Sequence, residues 1–227
     1  MNLGKLIVLE GIDGSGKSTQ FKNLCERFEK EGVSFTRLTF PRYTQPSSAL
    51  IRMYLGGEFG DDPEAVNPYA ASTFYAVDRY ASFLQDWKAA YESGALIVSD
   101  RYTTSNAIHQ ASKLAAEKRA DFFKWLYDFE FNLMGLPQPD AVIYTDVDVD
   151  TAVRQMRARE AQNSTKGDIH ETDGAYLEKC CVCGRQAADF YGWKKVACVQ
   201  GGEMRTIESI HEEIYGIVTQ VLQSKED

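Results

Sequence analysis

The apolar run Lys5-Leu6-Ile7-Val8-Leu9-Glu10 leads directly into Gly11-Ile12-Asp13-Gly14-Ser15-Gly16-Lys17-Ser18-Thr19. A short apolar run rich in branched residues predicts a buried strand. The stretch after it has the G-x-x-x-x-G-K-S spacing of a phosphate-binding loop. Its glycines allow successive backbone N–H groups to converge on one anion. Lys17 adds a point charge for the β- and γ-phosphates, and Ser18 offers a hydroxyl to Mg²⁺. The helix predicted to follow directs its positive end at the same anion. This strand, loop and helix commit the N-terminal third to an α/β arrangement.

The rest of the chain continues that alternation. Phe21, Leu24, Cys25 and Phe28 recur at helical spacing up to Gly32. Strands are predicted over 33–40, 95–99, 140–147 and 193–199, and helices over 47–55, 69–92, 121–133, 151–159, 176–191 and 207–222. The 151–159 helix is expected to be entered through Asp150, and the stretch 113–118 to be solvated. No repeat or long linker interrupts the 227 residues, so one domain is expected, with a parallel sheet covered on both faces.

Chemistry is expected beyond the carboxyl ends of the strands. Arg42, just after the second strand, is placed for a second anion or else is a solvated surface residue. Tyr75 and Arg79 are four apart on the long helix and share a face. They read either as a stacking and hydrogen-bonding pair for a planar base, or as a core tyrosine beside an Asp78/Arg79 surface pair. Asp100 ends a buried strand, the usual place of a Mg²⁺-associated aspartate. Arg101 beside it can span two phosphate groups. Thr103 to Gln110, including Ser105, Asn106 and His109, form a polar array suited to a ligand. The segment 161–167 is polar and contains Lys166.

A formal net charge of −8 argues against a nucleic-acid-binding surface. No apolar run approaches the roughly 20 residues that cross a bilayer, and the first residues lack a signal-peptide layout; a cytoplasmic protein is expected. Cys180-x-x-Cys183, with Cys198 and His170, is an incomplete zinc pattern without a second pair. The five cysteines are expected to be free thiols.

In order along the chain, Glu10–Thr19, Phe40-Pro41-Arg42, Tyr75-Ala76-Val77-Asp78-Arg79, Asp100-Arg101-Tyr102 with Ser105-Asn106, and Asp168-x-x-Glu171 leading into Tyr176-Leu177 resemble the thymidylate kinases. The resemblance covers nearly the whole chain. It implies a P-loop NTPase-type three-layer fold with a central parallel sheet and a mobile lid at about 154–171. It implies transfer of the γ-phosphoryl of ATP to dTMP with Mg²⁺, in a homodimer. By resemblance, Gly11 to Ser18 hold the ATP phosphates, and Asp13 meets the sugar 3′-hydroxyl. Arg42 and Arg101 grip the acceptor phosphate, Tyr75 stacks on the base, Arg79 bonds the base edge, and Asp100 organises Mg²⁺ through its waters. Some members carry an arginine just after the loop acid. Gly14 stands there, so the chain resembles the type that uses lid residues, here Arg157, Arg159 and Lys166. A tyrosine usual near the sugar is His109 in this chain. The alternatives are a kinase for another nucleoside monophosphate or a deoxynucleoside, and a nucleotide-gated binding protein.

Overall fold

The computed structural model of the protein describes residues 3–60, 62–163 and 174–224. Five parallel strands form the central sheet: β1 (Lys5–Glu10), β2 (Phe35–Thr39), β3 (Leu96–Asp100), β4 (Ala141–Asp146) and β5 (Lys194–Ala197), in the order β2-β3-β1-β4-β5. Leu9 pairs with Asp100, and Asp100 pairs with Thr39. The carboxyl ends of β1, β3 and β2 therefore emerge side by side, and the loops after them share one rim.

Strand alternation divides the core. Ile7 and Leu9 of β1 face a layer containing Phe21, Leu24 and Phe28 of α1 (Lys17–Glu31) and Ile210, Ile214 and Val218 of α9 (Ile207–Gln223). Leu6 and Val8 face the opposite layer, with Phe83, Trp87 and Tyr102. Side chains of successive strand residues point to opposite faces, so one buried run supplies both layers.

The other helices are α2 (Ala49–Leu55), α3 (Pro68–Ser82), α4 (Lys88–Glu92), α5 (Thr104–His109), α6 (Ala116–Tyr127), α7 (Val149–Asn163) and α8 (Gly174–Tyr191); α4 packs on the Leu6 and Val8 layer, and α5, α7 and α8 meet Tyr144 of β4 in a further cluster. The helix expected over 69–92 is interrupted: α3 passes into a π-helical turn, Phe83–Trp87, before α4. The aromatic helix starts earlier than expected and ends in a second π turn, Asp128–Leu133. Such turns insert one residue into the helical ladder and re-aim the side chains that follow. A short antiparallel hairpin, β6 (Val199–Gln200) with β7 (Glu203–Met204), takes the end of the expected last strand. The cap of α7 is Asp148, whose Oδ1 accepts from Thr151 N at 2.8 Å, rather than Asp150. Lys113 is not solvated as expected; its ammonium donates to Tyr54 Oη at 2.6 Å and lies over that ring.

Candidate active site

Two cavities share the rim. One, of about 300 Å³, is lined by Ile12 to Thr19 and walled by Gln155, Met156 and Ala158 of α7. The other, of about 180 Å³, is lined by residues that include Asp13, Tyr75, Arg79, Arg101, Ser105, Asn106, His109 and Tyr176. Asp13 lines both.

The loop keeps its shape through close approaches that forbid side chains. A Cβ on Gly11 would lie 2.1 Å from Thr145 Oγ1. Gly14 adopts φ +77°, and a Cβ there would lie 2.2 Å from the Ala152 carbonyl oxygen. An arginine at this place is excluded, because α7 occupies the space its first carbon needs.

Lys17 is buried, and its Nζ lies 2.9 Å from Asp100 Oδ1. Burial and then the Arg101 charge pull the ammonium pKa down, against the opposing pull of Asp100 and Glu10. Ser18 is exposed in the loop cavity. A hydroxyl there and a carboxylate at the next strand tip are hard oxygen donors. They fit Mg²⁺, which binds few protein groups and keeps several waters.

Arg101 is the one non-glycine residue with positive φ among the described residues, at +66°. That conformation costs about 1–3 kcal/mol and persists only where surroundings enforce it. The guanidinium donates to Asp13 Oδ1 at 2.6 Å and lies 3.1 Å from His109 Nε2, 3.4 Å from Ser105 Oγ and 3.7 Å from Glu10 Oε1. Burial opposes its charge, but Asp13, Glu10 and Asp100 outweigh burial and hold its pKa above the ordinary value. A guanidinium has no acceptor, so His109 Nε2 must accept from it. The other ring nitrogen, Nδ1, lies 3.3 Å from Tyr176 Oη.

Arg79 and Asp78 are both buried and do not form the surface pair offered as one reading. Asp78 turns to Arg42, accepting from its backbone N at 2.8 Å and its Nε at 3.2 Å. Arg42 also pairs with Asp86 and donates to Ser47 Oγ at 3.0 Å. It is not among the residues lining either cavity. Arg79 lines the acceptor-side cavity with Tyr75, and is held from behind by Glu130. Arg157 of α7 is exposed and outside the loop-cavity lining; the Arg159 side chain, Lys166, Asp168 and Glu171 lie outside the described residues.

Sequence reasoning passed over Glu10 and Glu130. Both carboxylates are fully buried. Glu10 accepts from Gly11 N, Thr104 Oγ1 and Ser105 Oγ at 2.9, 2.7 and 2.8 Å. The available signal was a lone acid in an apolar or aromatic stretch, which burial makes expensive unless it is paired. The cysteines diverge: Cys180 Sγ lies 3.6 Å from His109 Nδ1, Cys181 faces Val147 O and Cys183 faces Ala107 O. Among the described residues, no group of three or more His, Cys, Asp or Glu could hold a metal, and no helix is long and apolar enough to cross a membrane.

Comparison with known proteins follows the same geometry. The thymidylate kinase family model matches residues 9–178. A thymidylate kinase of Mycobacterium tuberculosis is 34% identical over 192 residues, spanning 82% of this chain and 87% of the relative. A probable thymidylate kinase of Thermococcus gammatolerans is 30% identical over 225 residues, spanning 98% and 99%. The solved thymidylate kinase of Candida albicans superposes with a TM-score of 0.71 at 21% identity, covering 99% of this chain and 96% of that one. At that identity it supports the fold alone.

Proposed function

The chain belongs to the thymidylate kinase family, and on that premise we propose how its two cavities divide the transfer of the γ-phosphoryl group of ATP to dTMP, which gives dTDP and ADP. The observation that carries the assignment is that Asp13 lines both cavities and is paired with Arg101, the cation that lines the second of them.

ATP phosphates lie in the loop cavity, among the backbone N–H groups of 11–19 and Lys17. Ser18 and Asp100 would hold Mg²⁺, which would supply charge neutralisation at the phosphate oxygens. dTMP lies in the second cavity with its phosphate towards Arg101. An acceptor-phosphate oxygen attacks the γ-phosphorus while the bond to the bridging β-oxygen breaks. The acceptor is already ionised, so no protein base is needed, and alignment and charge neutralisation do the catalysis. Arg101 exchanges part of its bond to Asp13 for the acceptor phosphate, while Glu10, Ser105 and His109 keep its position. Arg42 joins it by releasing Asp86. By resemblance, one of the basic residues Arg157, Arg159 and Lys166 would meet the transferring phosphoryl group, and exclusion of water would keep it from acting as the acceptor.

Base recognition is read from the donors left over. Arg79 uses Nε and Nη2 on Glu130, and Asn106 uses Nδ2 on Ser72 O and Glu130. Arg79 Nη1 remains as a donor and Asn106 Oδ1 as an acceptor, on two residues that line the cavity. That pair complements a pyrimidine edge with a carbonyl next to a ring N–H, as in thymine and uracil. Cytosine presents the reverse pattern. Tyr75 supplies the stacking face and Asp13 takes the sugar 3′-hydroxyl.

Val77, Tyr80 and Leu84 form an exposed apolar stripe along α3 and its π turn, and Leu133 is exposed in the other π turn. This exposed row on one helix face supports a homodimer. Five reduced thiols support the cytoplasm as the compartment. The deciding experiment is coupled ADP release with dTMP, dUMP, UMP, dCMP and thymidine side by side. dTMP should turn over fastest and thymidine not at all. Equal turnover of thymidine would remove the acceptor-phosphate site.

A further inference from the structure

Behind the acceptor cavity lies a carboxylate to which the reaction as described gives no task. Glu130 is 0% exposed and stands in the π turn of 128–133. Its Oε2 accepts from Arg79 Nε at 2.6 Å and from Thr103 Oγ1 at 2.7 Å. Its Oε1 accepts from Arg79 Nη2 at 2.5 Å and from Asn106 Nδ2 at 3.4 Å. One buried acid thus holds two of the residues that line the base end of the cavity, and a third that anchors the acid itself.

We infer that Glu130 is the positioning residue that sets the donor–acceptor pattern of the base site, and so the choice of a keto over an amino pyrimidine. This rests on the reading that Arg79 and Asn106 face the base. A guanidinium offers its donors along separate edges. Glu130 takes the Nε/Nη2 edge in a bidentate pair, the geometry that fixes a guanidinium plane most firmly. Among the described residues Nη1 has no partner, so it is the edge left for a ligand. The pair carries no net charge. Its remaining donor therefore suits a neutral carbonyl and gives little reward to a phosphate, which favours one orientation of the nucleotide in the cavity.

Asn106 follows the same logic. Its amide can present either its oxygen or its nitrogen to the cavity. Glu130 and Ser72 O are both acceptors, so they draw Nδ2 to themselves and turn Oδ1 outward. Without the acid, the amide loses one of the two groups that fix its orientation, and Arg79 loses both anchors at once. The π turn explains how the acid reaches them. The inserted residue rotates Glu130 inward while Phe129 and Phe131 on either side stay partly exposed.

The test compares Glu130→Gln, Arg79→Met and the double variant by KM for dTMP, dCMP and ATP, with thermal unfolding as the fold check. A glutamine amide keeps the shape of the acid, but only its oxygen accepts. Glu130→Gln should raise the dTMP KM about tenfold and narrow the preference for dTMP over dCMP, with the ATP KM within about twofold. The double variant should lose less than the product of the two single losses, because the acid acts largely through the arginine and keeps only the Asn106 amide as a second route. If Glu130→Gln does not fold, Glu130→Asp keeps the charge on a shorter arm and should narrow the same ratio. An unchanged dTMP/dCMP ratio in the variant that folds, or losses that simply multiply in the double variant, overturns the inference. An unchanged dTMP KM in Arg79→Met overturns instead the base-site reading beneath it.

Discussion

Arg101 Nη2 donates to Asp13 Oδ1 at 2.6 Å, joining the tip of β3 to the loop after β1 at the line where the two cavities meet. The fork geometry is what matters there, since the guanidinium contacts Asp13 from Nη2 and both His109 and Ser105 from Nη1. Lysine carries the charge without the fork. Arg101→Lys is expected to lower kcat/KM for dTMP by about two orders of magnitude, with unfolding temperature little changed. Steady-state kinetics beside calorimetry checks it; near-normal turnover would leave Arg101 a structural clamp on the loop.

Lys17 and Asp100 are both buried, and each is the other's counter-ion. Lys17→Met removes the charge proposed to meet the transferring phosphoryl group. Turnover should drop by about two to three orders of magnitude, while Asp100, now unpaired, costs stability. Asp100→Asn should partly restore the melting temperature of Lys17→Met and none of its turnover. A double variant that regains turnover would show that the lysine serves only to neutralise the acid.

How far the sequence discloses this site depends on how local each contact is. The loop, Asp100 and Arg101 are readable because a strand, a tight turn and a helix follow one another within a few residues, and parallel pairing then brings their ends together. Arg42 shows the limit. Its place after β2 was legible, but its commitment to Asp78 and Asp86 depends on how α3 and its π turn pack against that loop. Periodicity predicts a straight helix over 69–92 and gives no hint of an inserted residue. Both π turns deliver an acid to an arginine, Asp86 to Arg42 and Glu130 to Arg79, and both pairings were invisible for that reason. Asp168 and Glu171, the last of the motifs, lie outside the described residues.

Gly14 combines a left-handed backbone with contact against α7. Gly14→Ala must strain the loop or push α7 off it, and the backbone part alone costs about 1–2 kcal/mol. Because α7 also walls the loop cavity and carries Arg157, ATP should bind more weakly and turnover should fall together with the melting temperature. Isothermal titration with ATP measures the first. Wild-type ATP affinity in Gly14→Ala would mean that the α7 contact is incidental to the nucleotide site.

Lys113 provides a test in the stability curve. Burial pulls its pKa down from 10.5 to about 8, against the pull of Glu64 and Asp62. Between those values the unfolded chain holds a proton that the folded chain has released, so this group's contribution to stability rises with pH across that window. Below pH 8 the folded protein carries a partly buried charge at its full cost. Lys113→Met should therefore gain most relative to the wild type below pH 8, with the difference shrinking up to about pH 10.5. Paired melting curves across this range check it. A difference that does not vary with pH would put the lysine at its ordinary pKa, with its contacts to Tyr54 Oη and Val66 O at stake.

The apolar stripe on α3 makes the last prediction. Val77, Tyr80 and Leu84 are spaced three and four apart, so they lie on one face, and they are 50%, 40% and 49% exposed. Leu133 is 74% exposed in the π turn bound to that helix through the Arg79–Glu130 pair. An exposed row of this kind on a helix that also carries Tyr75 and Arg79, the proposed base contacts, is costly in water unless a partner covers it. A symmetric dimer would place the same stripe against itself. Tyr80→Glu with Leu84→Glu should shift the mass seen by light scattering from two chains to one. The dTMP KM should rise with it, because Tyr75 and Arg79 stand on the same helix and lose its bracing. A wild-type chain that is monomeric at assay concentration, or a variant that stays dimeric, would remove this face from the assembly. The two-cavity reaction would stand without it.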